Sequence, residues 1–442
     1  MRIFKNVKVE ILFLSLALIF GGSLSFIMPV LHNHDEEFHF DECCFLTNAV
    51  VKRSAVYADG GNDNAQFKKY TKHGLNSYIH QYFVKKAPFL KKDQVEDKRA
   101  LTMSKSDILL HIIPAIGVKI GFMIYPSVGV MCLVGRLFSC FFYAITLFFI
   151  IRFMDYGKVA LAVIALTPTM ITGAASLSYD SSNFVFLSLF IALLIHFSTR
   201  NKISQKMWII LAIATLLVSF SKENSRLLLL LLPFFIFRNS AQQLLPIISR
   251  FKYAISVVSI IIVGNFSFFL IKKEGSFSFV FHKFLNTFIF YSPSQNMPGN
   301  KSLPYLLNNI IDGGLWDENS VMPNWWVLLW FIFFLLILFS EKKIFQKKNK
   351  IMPLAICSLV VYFLNYFGVI LKFVNYLPNE TPYIIGPQGR YFTPFLLLFA
   401  IFMQGVHYQV SIKDVLVCLS SFLFMVFSLL MYIVIIFFFA YC

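Results

Sequence analysis

The chain has 442 residues, of which 58% are hydrophobic and only 14% are charged. That balance excludes a water-soluble domain and points to a polytopic membrane protein. The formal net charge of +17 would suggest nucleic acid in a soluble protein. In a membrane protein Lys and Arg first set orientation, because cytoplasmic loops carry them in excess, so no nucleic-acid partner is expected.

The chain opens with Met1 to Lys8 and an apolar run from Ile11 to Phe26. This resembles a signal peptide but lacks a small-residue cleavage site, so it reads as an uncleaved first helix. Directly after it, His32-Asn33-His34-Asp35-Glu36-Glu37-Phe38-His39-Phe40-Asp41-Glu42 places five acids and three histidines within eleven residues. Ionisable groups at a membrane edge are expensive and tend to be functional. A solvated loop is the plainer alternative. The string has no H-E-x-x-H, so no histidine metal site is expected. Cys43 and Cys44 are adjacent, and no C-x-x-C occurs, which argues against a disulfide framework or zinc knuckle.

Further runs long enough to span lie near 129–151, 159–177, 183–199, 253–271, 351–371, 391–408 and 414–440, after the first at 9–31. Shorter runs lie at 207–220, 225–238 and 325–340. The last opens on Trp325, Trp326 and Trp330, as in an interfacial aromatic belt. The run 107–124 is ambiguous, because it contains His111, Pro114 and Lys119. Laid flat on the outer surface, it leaves seventeen basic residues on the cytoplasmic side, from Arg2 to Lys413. If it spans, fourteen of these move outside. The charge rule therefore predicts a flat helix and about eleven transmembrane helices. The N-terminus is then cytoplasmic and the C-terminus outside. Outer segments fall at about 32–128, 272–324 and 372–390. With no repeat, low-complexity tract or linker, residues 1–442 read as a single polytopic membrane domain, all-α in class.

This topology gathers unusual polar residues at the outer face. Asp35 and Glu36 follow the first span, and Asp180 ends the third in Ser176-Leu-Ser-Tyr-Asp180. Lys222 and Glu223 lie between two segments too short to cross fully. Gln388-Gly389-Arg390-Tyr391 opens the tenth span. Arg136 lies inside the second span, where it either snorkels or pairs with an acid. For Lys222 the alternative is an interfacial anchor.

These motifs resemble a family of bacterial polytopic proteins of unknown function, placed in the GT-C superfamily of membrane glycosyltransferases. The family's P-D-E-x-x-H-F is matched by His34 to Phe40, with His34 in place of the usual Pro. Its Y-x-P-x-A-x-G looks like Ile113 to Gly117, and its R-L like Arg136-Leu137. Its L-x-P-M…S-x-S-x-D resembles Leu166 through Ser176, Ser178 and Asp180. A Ser-Lys turn fits Ser221-Lys222, and Q-G-R-Y-F-x-P fits Gln388 to Pro394 fully.

The resemblance implies a GT-C-like layout and a donor sugar carried on polyprenyl phosphate. The expected activity moves that sugar to a cell-envelope glycan or lipid acceptor, on the outer face of the bacterial plasma membrane. Asp35, with Glu36 second, is the expected catalytic base. Lys222 and Arg390 are expected to stabilise the leaving phosphate. His39, Arg136, Asp180, Gln388 and Tyr391 complete the expected substrate site. A divalent cation near Asp35 and Asp180 is the one cofactor this scheme admits. A transporter or flippase of lipid-linked sugars, and a non-catalytic assembly subunit, are the rival readings.

Overall fold

A computed structural model describes residues 8–31, 33, 35–49, 75–89, 105–200, 202–236, 278, 281–282, 285, 310–312, 322–341, 348–374, 388–406, 409–410 and 414–441. Regular structure among them is helical. The order is α1 (Val9–Ile27), α2 (Glu36–Leu46), α3 (Leu75–Ile79), α4 (Lys105–Ile124), α5 (Val128–Phe153), α6 (Lys158–Ala165) and α7 (Pro168–Ala174). Then follow α8 (Asp180–Thr199), α9 (Gln205–Ser219), a 3-10 segment Glu223–Leu231, α10 (Pro233–Ile236), α11 (Asn324–Ser340) and α12 (Lys348–Val374). Two 3-10 turns, Gly389–Tyr391 and Thr393–Leu397, lead into α13 (Leu398–Gly405), and α14 (Asp414–Tyr441) closes the order.

Five described helices are long and apolar enough to cross a membrane: α1, α5, α8, Ile351–Val369 within α12, and Leu416–Phe438 within α14. The expectation of about eleven spans is thereby corrected, and the reasons are local. The run 159–177 breaks at Thr167-Pro168. Proline has no N–H to continue α6, whereas its fixed φ suits the first turn of a new helix. The Thr167 hydroxyl oxygen accepts from the Met170 N–H at 3.3 Å and caps α7. The run 391–408 opens as 3-10 turns around Gly389 and Pro394. The described part of the run 225–238 is a 3-10 segment to Leu231 followed by the four-residue α10 that opens on Pro233. With 15 and 17 residues, α9 and α11 reach roughly 22–26 Å at 1.5 Å per residue, short of a hydrocarbon core of about 30 Å. The expected span 253–271, most of 272–324, residues 375–387, and His32 and His34 lie outside the described residues. So do many of the basic residues behind the charge count, among them Lys342, Lys343 and Lys347.

The central element is α8. Of its apolar window 72% is buried, against 33% for α1 and for the α12 window, which face outward. Helices α4 and α5 form an antiparallel hairpin about Tyr125–Ser127. A methyl group at Gly117 would fall 2.7 Å from the Gly135 Cα, and one at Gly121 2.7 Å from the Met131 Cα, so these glycines allow backbone contact. The segment expected to lie flat is thus one arm of a tightly packed pair. Trp325 is exposed, as an interfacial residue would be. Trp326 instead stacks on Phe424 of α14 and donates to the Ser428 hydroxyl, and Trp330 is fully buried.

Candidate functional site

The acidic run after α1 is a helix, not a loop. Leu31 and Asp35 both adopt left-handed backbone, with φ of 59° and 53°, so the chain leaves α1 sharply and re-enters α2. Asp tolerates this region better than most residues, whereas a branched Leu does not. Glu36 and Glu37 occupy the first turn of α2, where the helix dipole favours negative charge.

The turn sends Asp35 and Glu36 into opposite environments. Glu36 is fully buried and ion-paired with Arg136 of α5. Its Oε1 accepts from Arg136 Nε at 2.8 Å and from the Leu177 N–H at 3.2 Å. Arg136 directs its remaining donors at the end of α1. Nη1 lies 3.3 Å from the Ser25 carbonyl oxygen and 2.6 Å from that of Met28, and Nη2 lies 2.7 Å from that of Pro29. These carbonyls have no helical partner, so the guanidinium both neutralises Glu36 and caps α1.

Asp35 has a side chain 60% exposed and accepts from Arg390 Nη2 at 2.9 Å. Arg390, largely buried, lies between Asp35 and Asp180, with its Nε 3.6 Å from an Asp180 oxygen. That Nε has no hydrogen-bond partner among the described residues, and neither does the buried Oε1 of Gln388. Asp180, at the start of α8, is ion-paired with Lys222 and accepts from the Ser178 hydroxyl at 3.1 Å. The Lys222 ammonium lies 4.3 Å from the Tyr179 ring centroid and 5.0 Å from that of Tyr391, an aromatic sandwich that suits a cation. Burial lowers the Lys222 pKa, Asp180 opposes that shift, and Arg390 reinforces it. A cleft lined by Asn33, Thr169, Thr172, Ser178, Asp180 and Arg390, among others, opens beside these groups.

His39, one turn along α2 from Asp35, is buried with its Nδ1 2.8 Å from Nε2 of His111 on α4. Both rings pack edge-on against Tyr179, with centroids 4.7 and 5.3 Å away. Burial, then the neighbouring His111, pushes the His39 imidazole well below its ordinary range. Tyr179 thus bridges the histidine pair to Lys222.

Asp35, Asp180, Lys222, Arg390 and Tyr391 therefore come together, with His39 behind Tyr179. Glu36 and Arg136 form a separate, saturated pair beside them. The expectation of a divalent cation near Asp35 and Asp180 is corrected. Among the described residues no group of three or more His, Cys, Asp or Glu side chains could hold a metal ion. The reason is visible in the ion pairs, since Lys222 and Arg390 already sit against the two carboxylates. Sequence reading missed Tyr179, His111, Asn33, Asn224 and Asn365. An Asn within an apolar span was the signal available for Asn365.

No curated protein matches this chain, and neither does any solved structure. Residues 18–278, more than half of the chain, match the family described as "Predicted membrane protein (DUF2142)". The match includes Asp35, Glu36, His39, Arg136, Asp180 and Lys222 and ends before Arg390. The chain therefore belongs to this family of predicted membrane proteins.

Proposed function

We propose that the protein is a membrane glycosyltransferase that moves a sugar from a polyprenyl-phosphate donor to a cell-envelope glycan or lipid acceptor. The observation that carries this reading is the exposed Asp35 carboxylate on Arg390, where Arg390 and Asp180 line a cleft and Lys222 is ion-paired with that Asp180. A largely buried Arg390 on the cleft wall, with a largely buried Lys222 on the same Asp180, suits a phosphate. Arg390 keeps an Nε–H that makes no hydrogen bond among the described residues, so it has a donor to offer.

In the proposed reaction the acceptor hydroxyl gives its proton to Asp35 as its oxygen bonds to the anomeric carbon. The bond from that carbon to the phosphate oxygen breaks, and polyprenyl phosphate leaves with the electron pair. Lys222 and Arg390 face the charge that develops on it. Glu36 is assigned no proton transfer, because both its oxygens are engaged with Arg136 and backbone donors. Arg2, Lys5 and Lys8 before the first span support a cytoplasmic N-terminus, which puts Asp35 and the reaction at the outer face of a bacterial plasma membrane.

The test uses purified full-length protein in nanodiscs with synthetic polyprenyl-phosphate sugars and mass-spectrometric detection of released polyprenyl phosphate. Wild type releases it in the presence of acceptor, and Asp35→Asn is slower by about 10²–10⁴-fold. Full turnover by Asp35→Asn overturns the assignment. Movement of intact donor across liposomes without cleavage favours a flippase.

A further inference from the structure

The Gly389–Tyr391 turn that carries Arg390 has a backbone carbonyl with an unusual fate. In a 3-10 segment the Tyr391 carbonyl would accept from the N–H three residues on, and that residue is Pro394, which has none. The next N–H, of Phe395, donates to Phe392 instead. A partly buried carbonyl left this way needs other donors. Two asparagines from separate elements supply them. Asn365 Nδ2, in the apolar window of α12 and fully buried, lies 3.4 Å from the Tyr391 oxygen. Asn224 Nδ2, two residues after Lys222, lies 3.4 Å from the same oxygen and 2.9 Å from Asn365 Oδ1. Ser225 then donates to Asn183 Oδ1 of α8 at 2.8 Å, three residues after Asp180.

A closed polar triangle with one corner in an apolar helix is costly unless every member is satisfied. This one joins the turn carrying Lys222 to the turn carrying Arg390. We propose that Asn365 and Asn224 are positioning residues that hold Lys222 and Arg390 at the spacing needed to grip one phosphate between them. The proposal rests on the phosphate reading of the site given above. Neither asparagine touches the substrate. Each acts through the Tyr391 carbonyl, by preventing the two cationic turns from sliding apart.

The experiment measures the affinity of full-length protein for geranylgeranyl phosphate in detergent micelles, with thermal stability in parallel. Lys222→Met and Arg390→Met establish the site. If both bind like wild type, the phosphate reading fails, independently of the asparagines. Given that both weaken binding, Asn365→Ala and Asn224→Ala should each cost about tenfold in affinity, the scale of one lost hydrogen bond of about 1.4 kcal/mol. The double variant should lose less than the product of the two, because both act on one carbonyl. Asn224, on the partly exposed side of the triangle, keeps the test open should Asn365→Ala fail to accumulate.

Pro394→Ala separates positioning from simple carbonyl satisfaction. It returns an N–H to the turn but makes no link between elements. In the Asn365→Ala background it should recover stability and leave affinity low. Recovery of affinity by Pro394→Ala, or asparagine variants that lose stability while binding normally, would overturn the proposal.

Discussion

Asp35 and Glu36 are chemically alike and adjacent, yet they stand in opposite circumstances. Glu36 is fully buried, bonded to Arg136 and to backbone donors, at a point where α1, α2, α5 and the end of α7 meet. Asp35 is largely exposed and touches one side of an arginine that also faces Asp180. The difference comes from one left-handed residue. A φ of 53° at Asp35 goes with a side chain on Arg390 and starts α2 with Glu36 buried. The comparison teaches that a saturated ion pair and an open one can share a dipeptide, and that saturation is what separates a structural charge from an available one.

The largest expected effect breaks the closed pair. Arg136→Met leaves Glu36 buried without its cation and frees the last carbonyls of α1. The expected loss is about 3–5 kcal/mol, the usual result of removing one partner from a buried pair. Thermal unfolding of detergent-purified protein, followed by size exclusion, should show a large drop or failure to accumulate. A Tm within a degree or two of wild type would mean that Glu36 can be neutralised in place.

The two acids themselves sharpen the contrast. Asp35→Asn should leave the Tm near wild type while lowering sugar transfer by about 10²–10⁴-fold. Glu36→Gln should do the reverse, lowering the Tm and, in the folded fraction, sparing most of the turnover. If both variants lose transfer equally at unchanged stability, the two carboxylates are not divided as their environments imply.

A smaller effect is expected at the open pair. Arg390→Lys retains the charge but loses the planar fork that reaches Asp35 through Nη2 and faces Asp180 through Nε. Affinity for a polyprenyl phosphate should fall by about tenfold, with normal membrane insertion. Unchanged affinity would return Arg390 to the class of interfacial anchors.

The smallest effect concerns pH. Burial and His111 hold the His39 pKa well below its ordinary value, so His39 is neutral in the folded protein near pH 7. The unfolded chain takes up more protons once the pH falls below about 6.5. This contribution to stability is therefore fully present above that pH and is lost as the pH drops towards the folded pKa. The Tm of wild type should fall between pH 7.5 and 5.5, and that of His39→Gln should fall less. Equal slopes in the two proteins would remove His39 as the source.

The membrane character of this protein was legible in its sequence, because hydropathy over a window of about 20 residues is a local property. Five of the apolar runs are helices of spanning length for that reason. The breaks in others were legible too, in Thr167-Pro168 and in Gly389 with Pro394, but run length alone outweighed them in an eleven-span reading. The unusual charges Asp35, Glu36, Arg136, Asp180, Lys222 and Arg390 stood out by residue type and depth alone. Only the tertiary structure decided which of them meet. Arg136 finds Glu36 across 100 positions, Arg390 finds Asp35 across 355, and the carbonyl orphaned by Pro394 finds Asn224 and Asn365. Such pairings depend on how α1, α5, α8 and α12 pack, and no local pattern encodes them. The neutralisation of Asp35 and Asp180 by protein cations rather than by a metal ion was likewise a matter of packing, since the same two carboxylates in a sequence are compatible with either.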